Sequence, residues 1–149
     1  MEKSNDDLIL GQHHFSSRFI LGSGKYSYEL IDSAIHHAGA QIITMALRRT
    51  NNTEENILNY IPDNITILPN TSGCTNAQEA VRMAHIAREL SGSDFIKLEV
   101  VPDKKYLMPD NGETVKATEI LANEGFTVLP YMLPDLNTAH RLVDAGAAA

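Results

Sequence analysis

Five short apolar runs punctuate the chain: Phe19–Ser23, Gln41–Leu47, Ile65–Thr71, Phe95–Val101 and Phe126–Met132. Each is rich in β-branched or aromatic side chains and too short for a helix of ordinary length, so each predicts a strand. Helical period fills the stretches between them. Ala80, Met83, Ala84, Ala87 and Leu90 recur at steps of three and four, one stripe of a helix that opens near Thr75. Thr75 with Gln78 fits a capping box at that start. Asp110 with Glu113 signals a second helix, with Ala117, Ile120 and Leu121 on one side. Pro134-Asp135 opens a third, with Leu136, Ala139 and Val143 inward. Two further helices are predicted near Tyr28–Ala38 and Glu54–Tyr60; the second is the weaker, because Asn-rich sequence precedes it and Pro62 follows.

Strands alternating with helices predict βαβ units and a parallel sheet, hence an α/β fold. Two architectures satisfy the pattern, an open doubly wound sheet and a (β/α) barrel. The doubly wound dinucleotide-binding version asks for a third glycine after the first strand, and Leu21-Gly-Ser-Gly-Lys25 has only Gly22 and Gly24. A plain strand-to-helix turn is the better reading there. The phrase His37-Ala-Gly-Ala-Gln41 leads into the second strand, and it returns as Asp144-Ala-Gly-Ala at the end of the chain, where a sixth strand is expected to begin. A barrel takes about 250 residues. Both architectures stay open here, and the expectation is about five βα units of one domain over residues 15–149, the N-terminal part of a longer protein. Residues 1–14 are expected to be an extension that hangs free.

Composition narrows the function. The 149 residues are 43% hydrophobic and 21% charged, which suits a folded chain rather than a disordered one. Twelve basic against 19 acidic residues leave a net charge of −7, with no basic cluster for a nucleic acid or an anionic membrane surface. No apolar run approaches the ~20 residues that span a bilayer. The opening Met1-Glu-Lys-Ser-Asn-Asp-Asp7 is unlike a signal peptide, and a single cysteine, Cys74, forms no intrachain disulfide. A cytoplasmic protein is expected. The six histidines (13, 14, 36, 37, 85 and 140) lack ligand spacing and read as solvated surface.

The chemistry concentrates in Phe95-Ile-Lys-Leu-Glu-Val-Val101. Alternation puts Phe95, Lys97, Glu99 and Val101 on one face, and Ile96, Leu98 and Val100 on the other. The second face is wholly apolar and belongs under the helices. The first points inward and carries a lysine and a glutamate about 7 Å apart along the strand. Burying two charges is costly unless they are paired or used. Desolvation drives a lysine toward its neutral amine, the nucleophile that forms a Schiff base with a ketone or aldehyde. A neighbouring carboxylate can then shuttle protons. The plainer reading is a structural Lys97–Glu99 pair that ties strands together.

Lesser candidates are Lys25 after the first strand, for a phosphate, and Arg48 and Arg49 after the second, for an anion. Asn70-Thr-Ser-Gly73 offers substrate contacts or, in the favoured reading, a helix cap. Cys74 reads as a small helix-start residue. Tyr131 belongs either to the mouth or to the core.

With Lys97 and Glu99 reached, the chain resembles thiazole synthase of thiamine biosynthesis. The similar segments are Leu21-Gly-Ser-Gly-Lys-Tyr26, Ala46-Leu-Arg-Arg49, Leu68-Pro-Asn-Thr-Ser-Gly73, Ala77-Gln-Glu-Ala-Val-Arg82, Ile96-Lys-Leu-Glu-Val100, Glu113-Thr-Val-Lys-Ala117 and Glu124-Gly-Phe-Thr-Val-Leu-Pro-Tyr131, in family order. The resemblance implies a (β/α)8 barrel, here an incomplete barrel of about five βα units, in which Lys97 forms an imine with the ketone carbon of 1-deoxy-D-xylulose 5-phosphate and Glu99 serves acid-base steps. It implies sulfur from a small carrier protein with a C-terminal thiocarboxylate, and carbon and nitrogen from dehydroglycine. It also implies no metal or organic cofactor, and a homo-oligomer. The family's glycine-rich run and second acidic residue fall beyond Ala149, as do the strand 7–8 loops that hold phosphate in barrels. At Cys74 the family more often has a small apolar residue. The chain alone is therefore expected to be nearly inactive and poorly soluble. Two other readings stay open: a Schiff-base aldolase acting on a sugar phosphate, and an inactive fragment that only binds the carrier.

Overall fold

Short strands form wherever the apolar runs lie, because each run has one face for the helices and one for the interior. The computed structural model describes residues 6–24, 26–46 and 57–149. A hairpin of β1 (Leu8–Leu10) and β2 (His13–Phe15) precedes the alternating part. There follow β3 (Ile20–Gly22), α1 (Tyr28–His36), β4 (Ile42–Met45), a 3₁₀ turn (Ile57–Tyr60), β5 (Thr66–Pro69), α2 (Ala77–Ser91), β6 (Phe95–Leu98), α3 (Asn111–Asn123), β7 (Thr127–Pro130) and α4 (Leu136–Asp144). All five predicted strands are present. The remainder of the predicted Glu54–Tyr60 helix lies outside the described residues, as do Lys25, Arg48 and Arg49.

The five strands are parallel and lie in sequence order. Ile42 is in register with both Ile20 and Thr66, and Phe95 pairs with Thr127. β5 and β6 are joined by the Asn70–Lys97 bridge and by the Ser93 hydroxyl, which donates to the Ile67 carbonyl at 2.6 Å. A doubly wound sheet reverses its strand order at a switch point. No reversal occurs here, and sequential order is the order of a barrel wall.

Alternation sorts the side chains into two cores. Ile43, Ile67, Ile96, Leu98 and Val128 pack outward against the helices. Ala80, Ala84 and Ala87 bring α2 close to the sheet, and Ala117 and Leu121 do the same for α3. Each fully buried Ile or Leu contributes about 1.5–3 kcal/mol. Ile42, Leu68 and Phe95 pack inward, together with Leu10 and Phe15 of the hairpin.

Residues 8–14 therefore do not hang free. Gly11, at φ +60, makes the two-residue turn of β1 and β2, a conformation suited to glycine. Phe15 meets Phe95 edge-on with ring centroids 6.0 Å apart. The hairpin thus covers the inward side chains Ile42, Leu68 and Phe95.

Helix details depart from expectation by a residue or a face. The cap of α2 is Asn76, not Thr75: Asn76 Oδ1 accepts from the Glu79 amide at 2.9 Å, and Glu79 accepts from the Thr75 amide at 2.8 Å. The box is thus Asn76 with Glu79 rather than Thr75 with Gln78. Leu90 and Ile120, placed inward by the stripe, are exposed because each helix lies on the sheet by its alanine face. α4 buries Thr138 and Leu142 instead of Leu136 and Val143, which are 71% and 70% exposed. Asp110 and Asp135 cap α3 and α4 as predicted. Both Ala-Gly phrases turn at a left-handed glycine, Gly39 and Gly146, and the Ala148 amide then donates to the Val128 carbonyl of β7 at 2.9 Å. All six histidines are exposed. Among the described residues, no helix is long and apolar enough to cross a membrane.

Candidate active site

β6 carries the site because its inward face changes character along its length. Phe95 closes the apolar layer over the hairpin, and Lys97 is the next inward residue. Glu99, one repeat further, follows the end of the strand. The Lys97 Nζ lies 3.0 Å from Glu99 Oε1. Both line a cavity of about 390 Å³ at the C-terminal end of the strands, with Val101, Lys104, Leu107 and Tyr131. Ser72 and Gly73, after β5, complete the wall.

The expected desolvated amine is not found in this chain. The Lys97 side chain is 42% exposed, and that of Glu99 17%. The long lysine stem lifts the amine out of the Phe95 layer to the open end of the interior. The strand-tying alternative fails for a simpler reason: both groups sit on one segment, so the pair joins no two strands. An ion pair this open contributes only about 0–1 kcal/mol to folding. Its position in a cavity at the C-terminal end of parallel strands is where barrel chemistry occurs.

Neighbouring loops shape the mouth. The Tyr131 hydroxyl donates to the Leu107 carbonyl at 3.3 Å, which settles Tyr131 at the mouth rather than in the core. Leu107 holds φ +56, a conformation disfavoured for a branched side chain and found where a site fixes its walls. Asp103 Oδ1 steadies the same loop by accepting from the Lys105 amide at 2.8 Å. Asn70-Thr-Ser-Gly73 does not cap α2. Asn70 Oδ1 accepts from the Ser72 amide, and Thr71 bonds to the backbone of Glu99. Cys74 is buried in the core under the helices.

The model of the ThiG family, thiazole biosynthesis protein ThiG, matches residues 9–149. This chain belongs to the ThiG family. It is 64% identical over 144 residues to the thiazole synthase of Fusobacterium nucleatum subsp. nucleatum, covering 96% of this chain and 56% of that protein. The thiazole synthase of Clostridium beijerinckii is 62% identical with the same coverage. That of Campylobacter jejuni strain RM1221 is 63% identical over 146 residues, covering 97% of this chain and 57% of that protein. The chain thus spans little more than half the length of these ThiG relatives. The crystal structure of the Amycolatopsis orientalis BexX/CysO complex superposes with a TM-score of 0.76 at 34% identity, over 95% of this chain and 59% of that chain.

Within this ThiG-family fold, sequence reasoning places Lys97, Glu99 and Val101 correctly on the inward face. It misses Lys104 and Leu107, which the loop after β6 turns back onto the cavity. The usable signal was Val101-Pro-Asp-Lys-Lys105, where an aspartate after proline marks a turn that returns the next residues toward the strand end.

Proposed function

We propose that Lys97 and Glu99 perform the imine chemistry of a thiazole synthase. Lys97 attacks the ketone carbon of 1-deoxy-D-xylulose 5-phosphate. The ammonium first gives a proton to Glu99, 3.0 Å away. The amine then forms the C–N bond, and the carbonyl oxygen leaves as water after protonation by the carboxylic acid. The resulting iminium acidifies the adjacent carbon, and Glu99 is the base for the isomerisations that follow. A carrier-protein thiocarboxylate delivers sulfur, and dehydroglycine supplies the remaining carbon and nitrogen.

The observation that carries this reading is the intrasegment pair facing a cavity at the C-terminal end of parallel strands. Relatives named thiazole synthase support the activity. A fold neighbour crystallised in complex with CysO supports a protein partner. The sequential strand order and the coverage of the relatives support reading the five units as part of the wall of a (β/α)8 barrel. A cytoplasmic, homo-oligomeric enzyme is the corresponding expectation.

Ketose phosphate labelled with ¹³C at the ketone tests it. The expected result is loss of the ketone resonance and appearance of an imine resonance in the wild-type chain but not in Lys97→Ala. An unchanged ketone resonance, or an imine that survives in Lys97→Ala, contradicts the reading.

A further inference from the structure

Thr71 is fully buried, yet its side chain serves the site directly above it. Its hydroxyl donates to the Glu99 carbonyl and accepts from the Glu99 amide, both at 2.7 Å. Its own amide donates to the Lys97 carbonyl at 3.2 Å. The reason lies in where the ladder stops. β5 ends at Pro69, and the chain turns away at Gly73, whose φ is +89. Beyond Leu98 the β5 side offers no strand to the backbone of Glu99, and buried backbone groups require partners. One hydroxyl can donate and accept at once, so a single side chain satisfies both.

We propose that Thr71 is a positioning residue for the Lys97–Glu99 pair. Its two-point grip fixes the backbone on both sides of the Glu99 Cα, and thereby the direction in which the carboxylate reaches the amine. The catalytic meaning of the pair rests on the function proposed above; the control of its geometry by Thr71 does not. Valine at 71 preserves shape and removes both bonds, whereas serine keeps both.

The test is reductive methylation of the folded chain with formaldehyde and cyanoborohydride. The rate at Lys97 is read by peptide mass spectrometry against Lys116 in the same sample. Glu99→Gln releases the amine and is expected to raise the relative rate about two- to fivefold, the range of a partly exposed pair. Thr71→Val is expected to give a similar rise, with no further increase when combined with Glu99→Gln. Thr71→Ser is expected to stay at the wild-type rate. A Thr71→Val protein that melts earlier but methylates Lys97 at the wild-type rate would show a merely structural role and overturn the proposal. So would a folded Thr71→Ser that behaves like Glu99→Gln, or a wild-type background that does not respond to Glu99→Gln. Should Thr71→Val not fold, Thr71→Ala is read in its place by the same criterion, and a wild-type rate at Lys97 overturns the proposal. No ketose phosphate is used, so a failed imine experiment with an intact Thr71 response removes the catalytic reading and leaves this one standing.

Discussion

Lys97 and Glu99 differ in what they must supply, and substitution separates the two. In the proposed reaction the amine makes the covalent bond, so Lys97→Arg is expected to abolish imine formation while leaving the charge in the cavity. In the same reaction Glu99 moves protons, so Glu99→Gln is expected to slow the step by about 10²-fold without eliminating it, which stopped-flow absorbance can follow. Equal loss in both variants would mean that Glu99 only holds the lysine in place. At this scale the candidate site was largely legible. Strand alternation assigns Lys97 and Glu99 to the inward face from seven consecutive residues. The exposure of Lys97 was not legible, because it depends on how the loops after β5, β6 and β7 meet over the cavity. Thr71 was visible only as a small hydroxyl, since its partners lie 28 residues away.

Helix caps decide how the elements meet. Glu113 lies in the first turn of α3, but its Oε2 accepts from the Ala77 amide at the start of α2 at 2.9 Å, while Oε1 takes the Lys116 ammonium at 2.6 Å. The Lys116 contact, then the Ala77 amide, hold its carboxyl below the ordinary value of 4.5. A depressed folded pKa contributes stability that is complete above the unfolded value and is lost as pH falls through the folded one. Glu113→Gln should therefore lower the urea midpoint at about pH 7 and differ less from wild type at about pH 3. A gap that stays constant between those conditions would refute this link between α2 and α3. The inter-helix role could not be read from sequence, where Asp110 and Glu113 fit a box within one helix. For α2, Thr75 with Gln78 and Asn76 with Glu79 both satisfy the spacing. The second prevails because the Glu79 carboxylate can accept from the amide and the hydroxyl of Thr75 together.

For the whole molecule, the inner and outer cores were foreseeable from alternation, but the choice between a doubly wound order and strands in sequence order was not. Strand order is a non-local property, and the same βαβ rhythm serves both. The face of α4 misled for a related reason: Leu136 and Val143 form an exposed stripe, and the helix buries Thr138 and Leu142 instead. Such an exposed apolar stripe promotes association. Among the described residues, β3 has a ladder partner on one side only, a second surface of the same kind. Replacing Leu136 and Val143 together by lysine is expected to reduce the self-association of the chain in light scattering. An unchanged mass distribution would show that the stripe plays no part.

Capture of a ketose carbonyl by the amine at position 97, as proposed, leaves a bond that borohydride can trap. The chain is incubated with 1-deoxy-D-xylulose 5-phosphate and borohydride, digested, and its modified lysine located by mass spectrometry. One reduced adduct is expected on the peptide containing Lys97, absent in Lys97→Arg and diminished in Glu99→Gln. An adduct on Lys104 or Lys105 instead, or trapping only with aldol substrates, would contradict it.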